Sequence, residues 1–501
     1  MIQMKNEELI ARYEEWEKKL NAYRFAMTLI GIDANDRPPL NGAPLRAKHT
    51  SLLAGELFRI QNDESIPEIT EELLADETLD PVLRRRLQLR QKGFRRMGNV
   101  PEDVYLAYHD ALQQSERAWL KYKQTADWER YYPYLEKLVE MQKKLLTYRN
   151  DNRHPYDILL DDNEEGWNME RYDAFFEHVK KELVPLIHKI NEAEEIDDAF
   201  LHQSFDTDEQ RKLMKEILEY LGFTNEWGKL GESEHPLTTW ISVNDVRITT
   251  KYREHDAVAG ILSTVHETGH AWFTHNVDEK YDGTMIVSGI SAAMHESQSR
   301  LCENHLGRTE GFWRANWPKL RKHFPSQLSG ISFEEFMHAF NKVKCSPVRT
   351  EADELTYPLH ILIRYEMEKD LFSGKTEVKD LEKIWNEKYK EYLGVDVKDA
   401  KEGILQDMHW PYAYFGYFPT YALGSAFAAQ IAHTMEQEID VQTLLAESKY
   451  TEVTAWLKEH VQKDGAMYSS LETVKRATGE DFTPEYYTDY LKKKYSAVYN
   501  L

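Results

Sequence analysis

The sequence predicts a mainly α protein: a single large helical domain of 501 residues carrying one small β-hairpin. Three observations lead to this class. Glycine (23) and proline (17) fall below the roughly 7% and 5% of average soluble proteins, and a turn-rich β protein would need more of both. Apolar residues recur at helical spacing along most of the chain. β-forming residues gather in one stretch only, 236–252. A content of 41% hydrophobic and 12% aromatic residues excludes a disordered chain.

Taken in order, Leu9, Tyr13, Trp16, Leu20, Tyr23 and Met27 alternate in steps of four and three, one stripe of a long amphipathic helix. A Pro/Gly-rich loop is expected over 31–45. Helical patterns follow over 52–60, 82–97, 102–123, 134–148, 172–190 and 208–221. Trp240, Ile241 and Val243, then Val246, Ile248, Thr249 and Tyr252, flank Asn244-Asp245 and read as a hairpin. Helical spacing returns at 258–275, 292–306, 333–342 and 353–371. An irregular aromatic stretch, 394–424, precedes the last helices. No flexible linker divides the chain, so one domain over 1–501 is expected, with 1–230 as a helical half and 231–501 carrying the chemistry.

Sixty-three basic against 86 acidic residues give a net charge of −23, which repels nucleic acid and anionic membrane surfaces. The basic run Arg84, Arg85, Arg86, Arg90, Lys92, Arg95 and Arg96 reads as a solvated face or an intramolecular partner. Cys302 and Cys345 cannot build a disulfide framework, and the charged first 20 residues have no signal-peptide core. The stretch 415–432 is too polar for a membrane span. A cytoplasmic protein is expected. Asp161 to Gly166 imitates the start of a calcium loop, but Tyr172 stands where the closing glutamate belongs.

The most informative residues are His266-Glu267-Thr268-Gly269-His270. On a helix, positions i and i+4 lie about 40° apart, so both imidazoles reach one ion from one face. Glu267 then sits where its carboxylate can take a proton from an activated water without ligating the ion. A third ligand is needed. A histidine further along the helix is excluded because Asn276 occupies its position, and His275 points about 180° from the metal face. A glutamate on a following helix is the other solution. Glu296 and Glu303 share a face there, and spacing favours Glu296, whose neighbours Ala292, Ala293, Ser297 and Ser299 allow close helix approach. Glu279 falls in a charged loop.

His295-Glu296-Ser297-Gln298 resembles the H-E-S-Q signature of the carboxypeptidase Taq family of zinc metallocarboxypeptidases. Asp245-Val246-Arg247-Ile248-Thr249 is similar to that family's D-x-R-x-T, and Val348 to Asp353 resembles I-R-x-x-A-D with Val for Ile. Gly403 to Trp410 fits G-x-x-Q-D-x-H-W, and His235-Pro236-Leu237 resembles H-P-F with its last residue replaced. The resemblance implies a helical fold with a deep groove, a homodimer, removal of C-terminal residues from peptides with broad specificity, and Glu296 as third ligand. It makes Zn2+ the expected metal, one per chain. Imidazole and carboxylate ligands also suit Co2+ or Mn2+.

A carboxypeptidase must grip a free terminal carboxylate, and the planar fork of arginine suits that group. Arg349 is the candidate, with His409 and Tyr421 as hydrogen-bond donors to the carboxylate or the developing oxyanion. Asp245 and Arg247 lie on a strand before the metal helix, where a strand could pair with an extended peptide. Two other readings fit less of this: an endo- or oligopeptidase with the same ligands, and a helical binding protein with a degenerate site.

Overall fold

The computed structural model describes residues 2–35, 39–97 and 99–501. Helices α1 (Ile2–Asn35), α2 (Ala43–Gln61), α3 (Ser65–Leu74) and α4 (Pro81–Met97) come first. Leu9, Tyr13, Trp16 and Leu20 are buried there against Ile60, Ile69, Leu73 and Leu87, so the predicted stripe holds for its first two turns and more. The loop expected from Gly31 begins later. α1 runs through Gly31 to Asn35, because one glycine costs a helix only about 1 kcal/mol; positions 36–38 of that loop lie outside the described residues. α5 (Glu102–Gln124), α6 (Trp128–Leu146), α7 (Pro155–Asn163), α8 (Met169–Asn191) and α9 (Thr207–Tyr220) complete the N-terminal part.

The basic face of α4 is spent within the molecule. Arg86 and Arg90 pair with Glu17 of α1, Arg85 with Glu165 and Arg96 with Asp162. These contacts tie the first helices to the end of α7 and the loop after it. The carboxylates that imitate a calcium loop are the same ones that accept from Arg96, Arg149 and Arg153.

The predicted hairpin is present as β2 (Thr238–Ser242) and β3 (Asp245–Thr250), and a strand the sequence did not announce, β1 (Gly228–Glu232), runs parallel to β3. Gly-Lys-Leu-Gly-Glu contains almost no β-formers, so β1 is a strand by pairing rather than by propensity. The order is β1-β3-β2, which puts β3 in the centre. Val246, Ile248 and Thr250 are buried and alternate with half-exposed Asp245, Arg247 and Thr249.

The buried side of β3 packs on α10 (Ala257–Asn276). After the short α11 (Met285–Ser288) comes α12 (Ala292–Arg300), continued by a π-helical turn, Leu301–Leu306. α13 (Glu310–His323), α14 (Phe333–Phe340), α15 (Tyr357–Phe372) and α16 (Leu381–Leu393) lead to the aromatic stretch, then α17 (Pro419–Glu438), α18 (Val441–Ala446), α19 (Tyr450–Leu457), α20 (Ser470–Thr478) and α21 (Glu485–Tyr499). The helix expected from 353 starts at Tyr357 because the Asp353 carboxylate accepts from the backbone N–H groups of Leu355 and Thr356 and ends the preceding turn. Among the described residues, no helix is long and apolar enough to cross a membrane.

α12 is sandwiched between α10 and α17, and small residues set the spacing. A Cβ on Gly269 of α10 would stand 2.4 Å from the carbonyl oxygen of Gln298, and one on Gly424 of α17 would stand 2.8 Å from Cβ of Glu296. Gly269→Ala should therefore push α10 from α12. We expect a loss of about 1–3 kcal/mol in unfolding free energy, read from urea denaturation; an unchanged midpoint would contradict the close crossing.

Candidate metal centre and substrate groove

α10 begins at a capped end, with the Asp256 carboxylate accepting from Ala259 N. Three turns later it presents His266 and His270 on one face. Ser291 caps α12 in the same way through Met294 N, and α12 presents Glu296 to those imidazoles. Nε2 of His266 lies 3.8 Å and Nε2 of His270 3.6 Å from Oε2 of Glu296, and the three ligand atoms all fall within 4.8 Å of one another. Ligands about 2.1 Å from a common ion in a tetrahedral array stand about 3.4 Å apart, so small adjustments would let this donor set hold one metal. Of the glutamates weighed from spacing, Glu296 is the one in this group.

Each of these side chains is braced from behind. Arg300 donates from Nε to Oε1 of Glu296 (2.7 Å) and from Nη1 to Oε2 of Glu303 (3.1 Å). Glu303 faces Nδ1 of His266 at 2.9 Å, and Nδ1 of His295 faces Nδ1 of His270 at 2.9 Å. Burial alone would raise both carboxyl groups, but Arg300 and the imidazoles outweigh it, holding Glu303 at about 2 and Glu296 well below the usual carboxylate range. Both are therefore anionic. Glu279 sits apart in an exposed turn, and His275 donates from Nδ1 to Val243 O (2.8 Å) while stacking on Trp227.

Glu267 does not join the ligand group. It accepts a 2.5 Å hydrogen bond from the Thr238 hydroxyl on β2 and borders a groove of about 780 Å³, lined also by Ser263, His266, Arg300, Arg349 and Tyr357.

Arg349 reaches this groove in an unexpected partnership. It makes no ion pair with Glu351 or Asp353. Nε and Nη2 both meet Oδ1 of Asp407 at 2.9 Å, while Oδ2 of Asp407 meets the fully buried Arg364 at 2.6 Å. Gln406 Oε1 accepts from Arg349 N (2.7 Å), and its amide donates to Pro347 O. The Gln-Asp pair of the 403–410 motif thus fixes the arginine loop. Nη1 of Arg349 is left toward the Tyr357 hydroxyl at 3.5 Å. His409 and Tyr421 are brought together, Nε2 to hydroxyl at 3.2 Å, and the Tyr421 ring lies 5.6 Å from the Arg349 guanidinium. Burial drives His409 down to about 3, so its ring is neutral.

Asp245 and Arg247 are not brought to the metal group. They form a two-pronged ion pair (2.9 and 3.0 Å) on the side of β3 turned away from α10, beside a small cleft shared with Ile32 and Thr239. β3 has a neighbour on each side, so its main chain cannot pair with a peptide; β1 and β2 are the edge strands, and β2 is the one beside Glu267.

The model of the carboxypeptidase Taq (M32) metallopeptidase family matches residues 12–495. The chain belongs to this family. It is 37% identical over 97% of both chains to carboxypeptidase 1 of Bacillus subtilis (strain 168), and 34% identical to thermostable carboxypeptidase 1 of Thermus thermophilus, over 94% of this chain and 95% of that one. Among solved structures, the M32 carboxypeptidase from Deinococcus radiodurans R1 superposes with a TM-score of 0.94 at 31% identity, covering 98% and 100% of the two chains.

For an M32 metallopeptidase several neighbours of the site escaped sequence reasoning: Thr238, His295, Arg300, Glu303 in its bracing place, and Asp407. Arg300 alone had a local signal, since it stands four residues after Glu296 on one helix, an ion-pair spacing. Glu164, which ends α7, was also missed. Its carboxylate accepts from Ala293 N at the start of α12 (3.1 Å), and burial pushes it up to about 7 from 4.5. A raised carboxyl contributes stability fully present below about 4.5 and lost as pH rises through about 7. Glu164→Gln should remove that loss. We expect a thermal midpoint that falls less than the wild type's across this window; identical pH profiles would contradict the assignment.

Proposed function

We propose that this M32 metallopeptidase is a zinc-dependent carboxypeptidase removing C-terminal residues from peptides with broad specificity. The observation that carries the reading is the group His266, His270 and Glu296, whose His266 lines the groove that Glu267 and Arg349 border. Two imidazole nitrogens and one carboxylate oxygen suit Zn2+, and also Co2+ or Mn2+. When bound, the ion supplies Lewis acidity toward a water and the scissile carbonyl.

The remaining work falls to side chains. Glu267, steadied by Thr238, takes a proton from the attacking water and passes it to the leaving amine. Arg349 offers the edge of its guanidinium not used by Asp407 to the terminal carboxylate. With His409 donating from Nε2, the Tyr421 O–H is free to point at substrate oxygen. Arg247, braced by Asp245, is assigned to the outer cleft, away from the reacting centre. The reading takes the whole chain as one catalytic unit with 1–230 as a groove wall. It extends to a cytoplasmic homodimer that takes peptides with a free C-terminus and binds neither nucleic acid nor membranes.

Glu267→Gln should lower turnover by about 10²–10⁴-fold with metal content by elemental analysis unchanged; full activity would contradict the general-base role. A peptide and its C-terminally amidated twin should be cleaved very unequally, and equal cleavage would favour an endopeptidase. Arg349→Met should lower kcat/KM for the free peptide by about 10- to 150-fold, the worth of a hydrogen bond to a charged group. An unchanged value would remove Arg349 from carboxylate recognition.

A further inference from the structure

Glu296, Arg300, Glu303 and His266 form a closed chain of contacts that leaves one metal-ligand candidate and returns to another. Arg300 holds Oε1 of Glu296 through Nε (2.7 Å) and Oε2 of Glu303 through Nη1 (3.1 Å), and its guanidinium lies 4.3 Å from the centre of the Tyr357 ring. Glu303 completes the circuit at Nδ1 of His266, 2.9 Å away. All four side chains are 9–17% exposed, so the geometry is held by packing and not by solvent. Glu303 belongs to the π-helical turn Leu301–Leu306; such turns recur at functional sites because they alter the facing of side chains along a helix.

Two consequences follow for the ligand atoms. With Oε1 engaged by Arg300, the Glu296 carboxylate cannot turn freely, and Oε2 is the oxygen presented to the imidazoles. With a carboxylate at Nδ1, His266 carries its proton there, and the Nε2 lone pair is directed toward Glu296 and His270. We propose that Arg300 and Glu303 are positioning residues that act through Glu296 and His266 to set the protein's affinity for its metal. The proposal rests on the reading of His266, His270 and Glu296 as the metal site. Neither residue is assigned to substrate or to the reacting atoms. Arg300 lies between two buried carboxylates, and Arg308 stands 3.9 Å from the second, Glu303; removing Arg300 alone would take from Glu296 its only guanidinium partner among the described residues, whereas removing Glu303 leaves Arg300 paired with Glu296.

The test uses the purified full-length chain and zinc alone. Wild type, Glu303→Ala, Glu303→Gln and the double variant Arg300→Met/Glu303→Gln compete with a chromophoric chelator for zinc, and each metal-free protein is melted in parallel. Glu303→Ala should raise the zinc dissociation constant by about 10- to 100-fold, the usual effect of losing a neighbour that orients a ligand. Glu303→Gln, which keeps an acceptor at Nδ1, should recover part of that loss, and the double variant should bind more weakly than Glu303→Gln. Melting of metal-free Glu303→Gln should match wild type. A zinc constant for Glu303→Ala within about two-fold of wild type, where 10-fold or more is expected, overturns the proposal while leaving the metal site standing. A wild type that takes up no zinc overturns the site, and the proposal with it.

Discussion

The site depends on how closely three helices cross. α10, α12 and α17 meet where Gly269 and Gly424 leave no room for a Cβ, and that spacing lets a carboxylate from one helix reach two imidazoles from another. A single side chain at either glycine would have to displace backbone carbonyls or the stem of Glu296 itself. Everything chemical in the groove is placed relative to this crossing. β3 covers the other side of α10, and β2, one of the two edge strands, supplies the hydroxyl that holds Glu267.

Burying charge at such a crossing is unfavourable unless every ion has a partner. The structure answers with two separate networks. Around the metal-ligand candidates, Arg300 pairs with both Glu296 and Glu303, Arg308 stands 3.9 Å from Glu303, and the imidazoles complete the circuit. Across the groove, Asp407 sits between Arg349 and Arg364, holding one cation at the groove and the other in the core. A chain with a net charge of −23 thus presents fixed guanidinium groups at its groove, because local pairing, not the total, decides what a substrate meets.

Much of this was legible in the sequence, and the rest fails for identifiable reasons. His266, Glu267 and His270 lie within five residues, so helical geometry alone relates them. Glu296 is 26 residues past His270, and its small neighbours correctly signalled a close approach, but choosing it over Glu303 needed either the family resemblance or the fold. Glu303 turns out to be close by for a different purpose, behind His266. β1 was invisible because its residues have no strand propensity and gain it from β3. Asp245 and Arg247 were placed on the right strand, but their facing was left open: alternation puts Val246 and Ile248, not their polar neighbours, against α10. Asp407 was quoted within a motif, yet its pairing with Arg349 spans 58 residues and no local pattern announces it.

The central claim is that the helix crossing builds one metal site from His266, His270 and Glu296. Crystals soaked in zinc and measured at the zinc absorption edge test it most directly. The account predicts a single strong anomalous peak at each chain's groove, within about 2.0–2.2 Å of both Nε2 atoms and of Oε2 of Glu296. A peak coordinated by Glu303 in place of Glu296, or no peak at this crossing, would contradict it.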